Sequence, residues 1–392
     1  VPELRSTDLP AIVRLIGAGS GKEELGFGPD QWDDVALAAR QQRLRPWLHL
    51  RRLQCGWQVP ADLSEECAQA YRRSAMRVLR QKAELARMTR WLAEAGIAAH
   101  VLKGGAIVWR GWFDPALRPM RDLDLLVSPE HANRAQELLF SKGFTGQRAA
   151  KSGNNKHLPG LVAPTTGVVV EIHTRLIDVF TPEWDQRDQL LCKLAISRAW
   201  QMPTSEGGYP IFADEDTLLH LIMHAVLDHQ FNNGPLLLID IEALVVSGHV
   251  DWPCFWNTAQ AIGAVRAAQL ALRLAETVWP TLPIDWQGHE PSALDARSVA
   301  SAASLMLVPI GQQTELGFVG RLARFRWTEQ SAILFDSILR KSSSAKSTRP
   351  GESNSPLDGP VVSLSRRIAN AGSRKGRDHI KRSLEVARWL RQ

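Results

Sequence analysis

The segment that decides the fold reads Arg118-Pro119-Met120-Arg121-Asp122-Leu123-Asp124-Leu125-Leu126-Val127. Its last six residues alternate acid and Leu and then turn wholly apolar, which predicts a strand. Residues i and i+2 of a strand point to the same face, so Asp122 and Asp124 stand side by side. Two adjacent carboxylates repel, and one tends to hold a proton unless a cation relieves the charge. Mg²⁺ prefers oxygen ligands of this kind and commonly shares them with substrate phosphates.

On the N-terminal side, Ile97-Ala98-Ala99-His100-Val101-Leu102 follows Gly96 and predicts a short buried strand. Gly104-Gly105 and a helical stretch to about Trp112 come next, and Asp114-Pro115 ends it. A strand, two glycines and a helix let backbone approach a phosphate, with the helix N-terminus supplying N–H donors. The pair matches neither a Walker A loop nor a dinucleotide fingerprint. Lys103, Arg118 and Arg121 are cations available to a triphosphate.

On the C-terminal side, Ser128-Pro129-Glu130 has the N-cap and first-turn proline of a helix start, and Gly143 closes that helix after Ser141. Residues 151–166 predict a loop. Val168-Val169-Val170-Glu171-Ile172-His173 predicts a third strand. Its Glu171, in an otherwise apolar run, completes a three-carboxylate cluster. Such a cluster suits two metal ions roughly 4 Å apart.

Helices surround this core. Mixed 3- and 4-residue apolar spacing predicts them over 31–45, 63–95, 218–229, 236–246 and 252–278. The expected organisation is an N-terminal helical region (1–95), an α/β core (96–185), a C-terminal helical region (186–340), and a disordered linker with a basic tail (341–392). His220 and His224, at i and i+4, share a helix face but lack the glutamate of a zinc-protease motif. Together with His229, Asp228 and Asp240 they either line the cleft or pack beside it.

The three segments together resemble the polymerase-beta-type nucleotidyltransferase superfamily. More narrowly, they resemble a family of uncharacterised bacterial nucleotidyltransferases. Leu102-Lys103-Gly104, the Arg118–Val127 segment quoted above and Glu171-Ile172-His173 carry the likeness. It implies an α+β fold, a small mixed sheet flanked by N- and C-terminal helical segments. It implies transfer of an NMP from an NTP such as ATP, with two Mg²⁺ ions, onto a small molecule, a peptide or protein, or RNA. By the same likeness Asp122, Asp124 and Glu171 are the catalytic metal ligands. Lys103, Gly104, Gly105, Arg118, Arg121 and His173 then face the nucleotide, although His173 equally suits a supporting role in the core. The gap from Gly105 to Asp122 is longer than in compact versions of the signature, and the third acid is Glu rather than Asp. A non-catalytic nucleotide-binding or interaction module of the same fold is the alternative. Crowded carboxylates without a metal would gain such a module little.

Composition narrows the setting. Hydrophobic residues are 44% and charged residues 22% of 392, ordinary for a globular chain with a sizeable core. No run is apolar enough to span a bilayer. The opening Val1-Pro2-Glu3-Leu4-Arg5 lacks the layout of a secretory leader. The four cysteines form no CxxC pair, so reduced thiols in a cytoplasmic protein are expected. The net charge of +6 is unevenly placed. Residues 341–392 hold 12 Lys and Arg against 4 Asp and Glu, leaving 35 against 37 elsewhere. That tail reads as a solvated end, a polyanion contact or a membrane-surface segment. The 14 tryptophans read as core.

Overall fold

The computed structural model describes residues 9–17, 27–149, 156–179, 181–204, 207–292, 294–308 and 374–391. The helices α1 (Ala11–Gly17), α2 (Pro29–Gln41), α3 (Arg45–Cys55) and the long α4 (Ala61–Glu94) precede the first strand. Then come β1 (Ala99–Val101), α5 (Lys103–Ile107), a 3₁₀ turn (Pro115–Leu117), β2 (Asp122–Val127) and α6 (Pro129–Ser141). The short β3 (Thr145–Gly146), β4 (Leu161–Val162) and β5 (Val169–His173) follow. After α7 (Pro182–Ser197), β6 (Trp200–Thr204) and β7 (Gly207–Ile211), the chain is helical. It continues through α8 (Asp214–Met223), a π-helical turn (His224–Asp228), α9 (Leu236–Val246), α10 (Trp252–Ala261), α11 (Val265–Val278) and α12 (Ala296–Leu305). The last described element is α13 (Arg374–Arg391).

One mixed seven-stranded sheet runs in the order β3-β4-β5-β2-β1-β7-β6. The central pair β2 and β5 is parallel, with Asp122 opposite Val169, Asp124 opposite Glu171 and Leu126 opposite His173. The pleat sorts these strands into two faces. Leu123, Leu125, Val127, Val170 and Ile172 join one core with Leu85, Met88 and Leu92 of α4. Leu126 joins the other core, built by the C-terminal helices. Asp122, Asp124, Glu171 and His173 therefore lie on the sheet face that looks toward α8 and α9.

The α+β expectation holds: helices flank a mixed sheet. Several elements differ from their sequence reading. The loop expected over 151–166 contains β4, which pairs with β5. The stretch after Asp188, read as wholly helical, contains β6 and β7, and β7 extends the sheet beside β1. The single helix expected over 252–278 is two, because Gly263 turns the chain at φ +66 between α10 and α11. The linker expected over 342–360 falls outside the described residues. The basic stretch 363–391, which reads as a marginal helix interrupted at Gly372 and Gly376, is described from 374 on, as a helix that runs through Gly376. Its Val386, Ala387 and Trp389 are buried, and Trp389 donates its indole N–H to the Arg266 carbonyl of α11 at 2.9 Å. Trp389 is thus a packing residue. No described helix is long and apolar enough to cross a membrane.

Candidate active site

The acidic face of the sheet forms one wall of a cavity of about 540 Å³, within the range of small-molecule sites. Asp122, Asp124, Glu171 and His173 come from the two central strands. The π turn and the loop after it contribute His224, Asp228, His229, Asn232, Asn233 and Gly234. Arg43, at the corner between α2 and α3, closes a third side.

Asp124 is the most enclosed carboxylate, 4% exposed. Lys103 Nζ lies 2.8 Å from its Oδ1, and His173 Nε2 donates to the same oxygen at 2.8 Å. Burial pushes Asp124 up, but Lys103 and the His173 hydrogen bond outweigh it and hold the group well below the usual carboxylate range. Asp122 makes no ion pair among the described residues. Burial, then repulsion from Asp124 and Glu171, raises its pKa to about 6. Glu171 is opposed by burial, but His173 and His157 bring its pKa down. Its Oε2 is 3.6 Å from His173 Nε2 and 3.8 Å from His157 Nε2.

Donor atoms of Asp124, Glu171 and His173 lie within 4.8 Å of one another, close enough to converge on one ion. Asp122 stands on the same face two residues away. The hard oxygens and the uncompensated charge on Asp122 fit a divalent cation such as Mg²⁺. His173 Nδ1 is buried without a hydrogen-bond partner, so this ring is tied to the site through Nε2 alone.

The other sequence candidates divide. Gly104 lines the cavity, and a Cβ there would lie 2.8 Å from both Arg118 Nη1 and the Met120 side chain. Gly105 does not line it. A Cβ at Gly105 would press on Val101 at 2.8 Å, so this glycine lets α5 lie against β1. Both glycines sit inside the first turn of α5, which begins at Lys103, a non-glycine residue at φ +51. Arg118 is engaged elsewhere: its Nε and Nη2 donate to the two carboxylate oxygens of Asp240 on α9 at 2.9 and 2.7 Å. Arg121 is exposed at the cavity rim.

The histidines of the π turn do reach the cavity. Lys156 forms a tight ion pair with Asp228, and His224 Nδ1 lies 3.1 Å from Asp228 Oδ2 and 3.2 Å from Lys156 Nζ. Burial is the first reason that His224 and His229 titrate low, the latter at about 4, so both rings are neutral at pH 7. Asp228 Oδ1 accepts the backbone N–H of Asp178 at 3.0 Å. Single π turns often mark functional sites. Among the described residues, no tryptophan lines the cavity.

A model of a family described as an uncharacterised nucleotidyltransferase matches residues 28–280, and every residue of the cavity falls inside that span. The chain belongs to this family. Comparison with curated proteins and with solved structures gave no match. As expected of a nucleotidyltransferase, the carboxylates meet on one face. Sequence reading missed Arg43, well upstream of the motifs, and Lys156, in the stretch read as a loop between two of them; neither carries a local signal. His224, Asp228, His229 and Asp240 were visible only as helix-face residues near a cleft.

Proposed function

We propose that the protein transfers an NMP from an NTP to an acceptor hydroxyl or phosphate with the help of divalent metal. The observation that carries this reading is the parallel register of β2 and β5. It sets Asp124 beside Glu171 and leaves Asp122 on the same face, in a cavity large enough for a nucleotide. Asp122, Asp124 and Glu171 would hold one or two Mg²⁺ ions, with His173 fixing Asp124. Bound there, Mg²⁺ would neutralise triphosphate charge and acidify the acceptor hydroxyl.

The rest of the chemistry is positioning. The acceptor oxygen bonds to the α-phosphorus as the bond from α-phosphorus to the bridging oxygen breaks. Pyrophosphate leaves with that electron pair, and the acceptor's proton passes to the Glu171 carboxylate. Lys103 anchors Asp124, while the side-chain-free Gly104 lets backbone approach the phosphates. An RNA acceptor would find exposed Arg377, Lys381, Arg382 and Arg388 on α13; a small molecule or peptide would need only the cavity.

The test is incubation with Mg²⁺ and each α-radiolabelled NTP, with and without cell extract. Metal-dependent labelling that is abolished in Asp122→Ala and Asp124→Ala, with circular dichroism unchanged, is the expected result. Full activity in both variants would remove these ligands from the reading. Nucleotide affinity that needs no Mg²⁺, with no label transfer, would point to a non-catalytic binding module.

A further inference from the structure

Among the described residues, five Lys and Arg side chains line the cavity: Arg43, Lys103, Arg118, Arg121 and Lys156. Three are already neutralised. Lys103 is held by Asp124, Arg118 by both oxygens of Asp240, and Lys156 by Asp228. Among the described residues, Arg43 and Arg121 have no carboxylate partner. The guanidinium of Arg43 donates through Nη1 to the Pro119 carbonyl at 3.3 Å, a neutral acceptor.

Arg43 is an unfavourable residue for its place unless something anionic joins it. Its backbone is left-handed at φ +62, a conformation unfavourable for a side-chain-bearing residue. It is half-buried, and the charges nearest it include two more guanidiniums. Burial first, then Arg118 and Arg121, lower its pKa to about 9, which still leaves it charged at pH 7. Asp122 and Asp240 offset part of this, but neither is bonded to Arg43, so a desolvated guanidinium is left without an anion of its own. Two unneutralised guanidiniums at one corner match phosphate oxygens, which they can bind through paired N–H donors. This corner also lies beside Asp122, whose charge Arg43 senses directly.

We propose that Arg43 and Arg121 seat the β- and γ-phosphates of the NTP, and therefore the departing pyrophosphate. This rests on the nucleotidyl-transfer reading and gives the cavity a direction. In-line displacement puts the attacking oxygen opposite the leaving group. The acceptor then approaches from the Lys156, His224 and Asp228 wall, which flanks Asp124 rather than Asp122.

The experiment is calorimetric titration of the full chain with magnesium pyrophosphate, for the wild type, Arg43→Asn and Arg121→Gln. Asn tolerates the left-handed backbone at position 43 better than Arg does, so the fold is preserved while the charge is removed. Wild-type binding that weakens by about 10- to 100-fold in each variant is expected for loss of a charge-assisted contact. Equal affinity in all three proteins, or no binding by the wild type, overturns the assignment. The two readings fail separately. Label transfer intact with pyrophosphate affinity unchanged in Arg43→Asn removes this seat and keeps the enzyme. Pyrophosphate binding lost in the variants, in a wild type that transfers no label, upholds the anion seat and removes the enzyme.

Discussion

Asp122 and Asp124 stand two residues apart on one strand face and titrate in opposite directions, because only Asp124 has Lys103 and His173 against it. A carboxyl whose folded pKa is raised to about 6 binds more protons folded than unfolded between pH 4 and 6. Its ionisation therefore removes stability as pH rises through that window. Without divalent cation, Asp122→Asn should be more stable than wild type at pH 7 by about 1–2 kcal/mol, and the gain should vanish near pH 4. Urea unfolding at both pH values checks this, and a loss of stability at pH 7 would show that Lys103 and Arg43 already compensate the charge. The same substitution should abolish label transfer, the usual exchange of stability for function at a crowded acidic site.

At the scale of elements, the clasp between Arg118 and Asp240 ties the segment leading into β2 to α9. Asp240 is buried and the Arg118 side chain is 12% exposed, so removing one partner leaves the other charge largely desolvated and uncovered. Asp240→Ala should cost about 3–5 kcal/mol, whereas Arg118→Met with Asp240→Leu should recover most of it. Denaturant midpoints decide; an equal loss in the single and double variants would mean that packing, not charge, is at stake. The clasp also marks the limit of sequence reading. The alternation of Asp122 to Leu125 and the β-branched run before Glu171 are local signals, so β2, β5 and their shared carboxylates could be read directly. Pro203 in β6 and Gly207, Gly208 and Pro210 in β7 hide two strands behind residues that usually end them, which is why an edge hairpin was absorbed into a helical reading. Arg43 and Lys156 could not be found this way at all. Their roles come from where distant segments meet, and no periodicity encodes that.

At the scale of the whole molecule, α13 packs its Val386, Ala387 and Trp389 side against the helical body, with Arg266 over the Trp389 ring at 4.3 Å. Trp389→Ala should destabilise by about 3–5 kcal/mol, as a large core truncation does, and removal of 374–391 should cost at least as much. Guanidinium titration followed by circular dichroism measures both, and an unchanged midpoint would mean that α13 contributes nothing to the fold. The walls of the cavity are gathered from Arg43, from the strands at 122–124 and 171–173, and from Asp228 to Asp240. During synthesis Arg43 and the carboxylate pair therefore leave the ribosome well before the π turn and α9, which complete the enclosure. A nascent chain that stops short of α9 would carry the whole acidic motif and no chamber, with Arg118 still lacking its counter-charge. Enclosure of the acidic motif thus waits on the chain's helical half, and an excised 96–185 fragment would be a motif without a pocket.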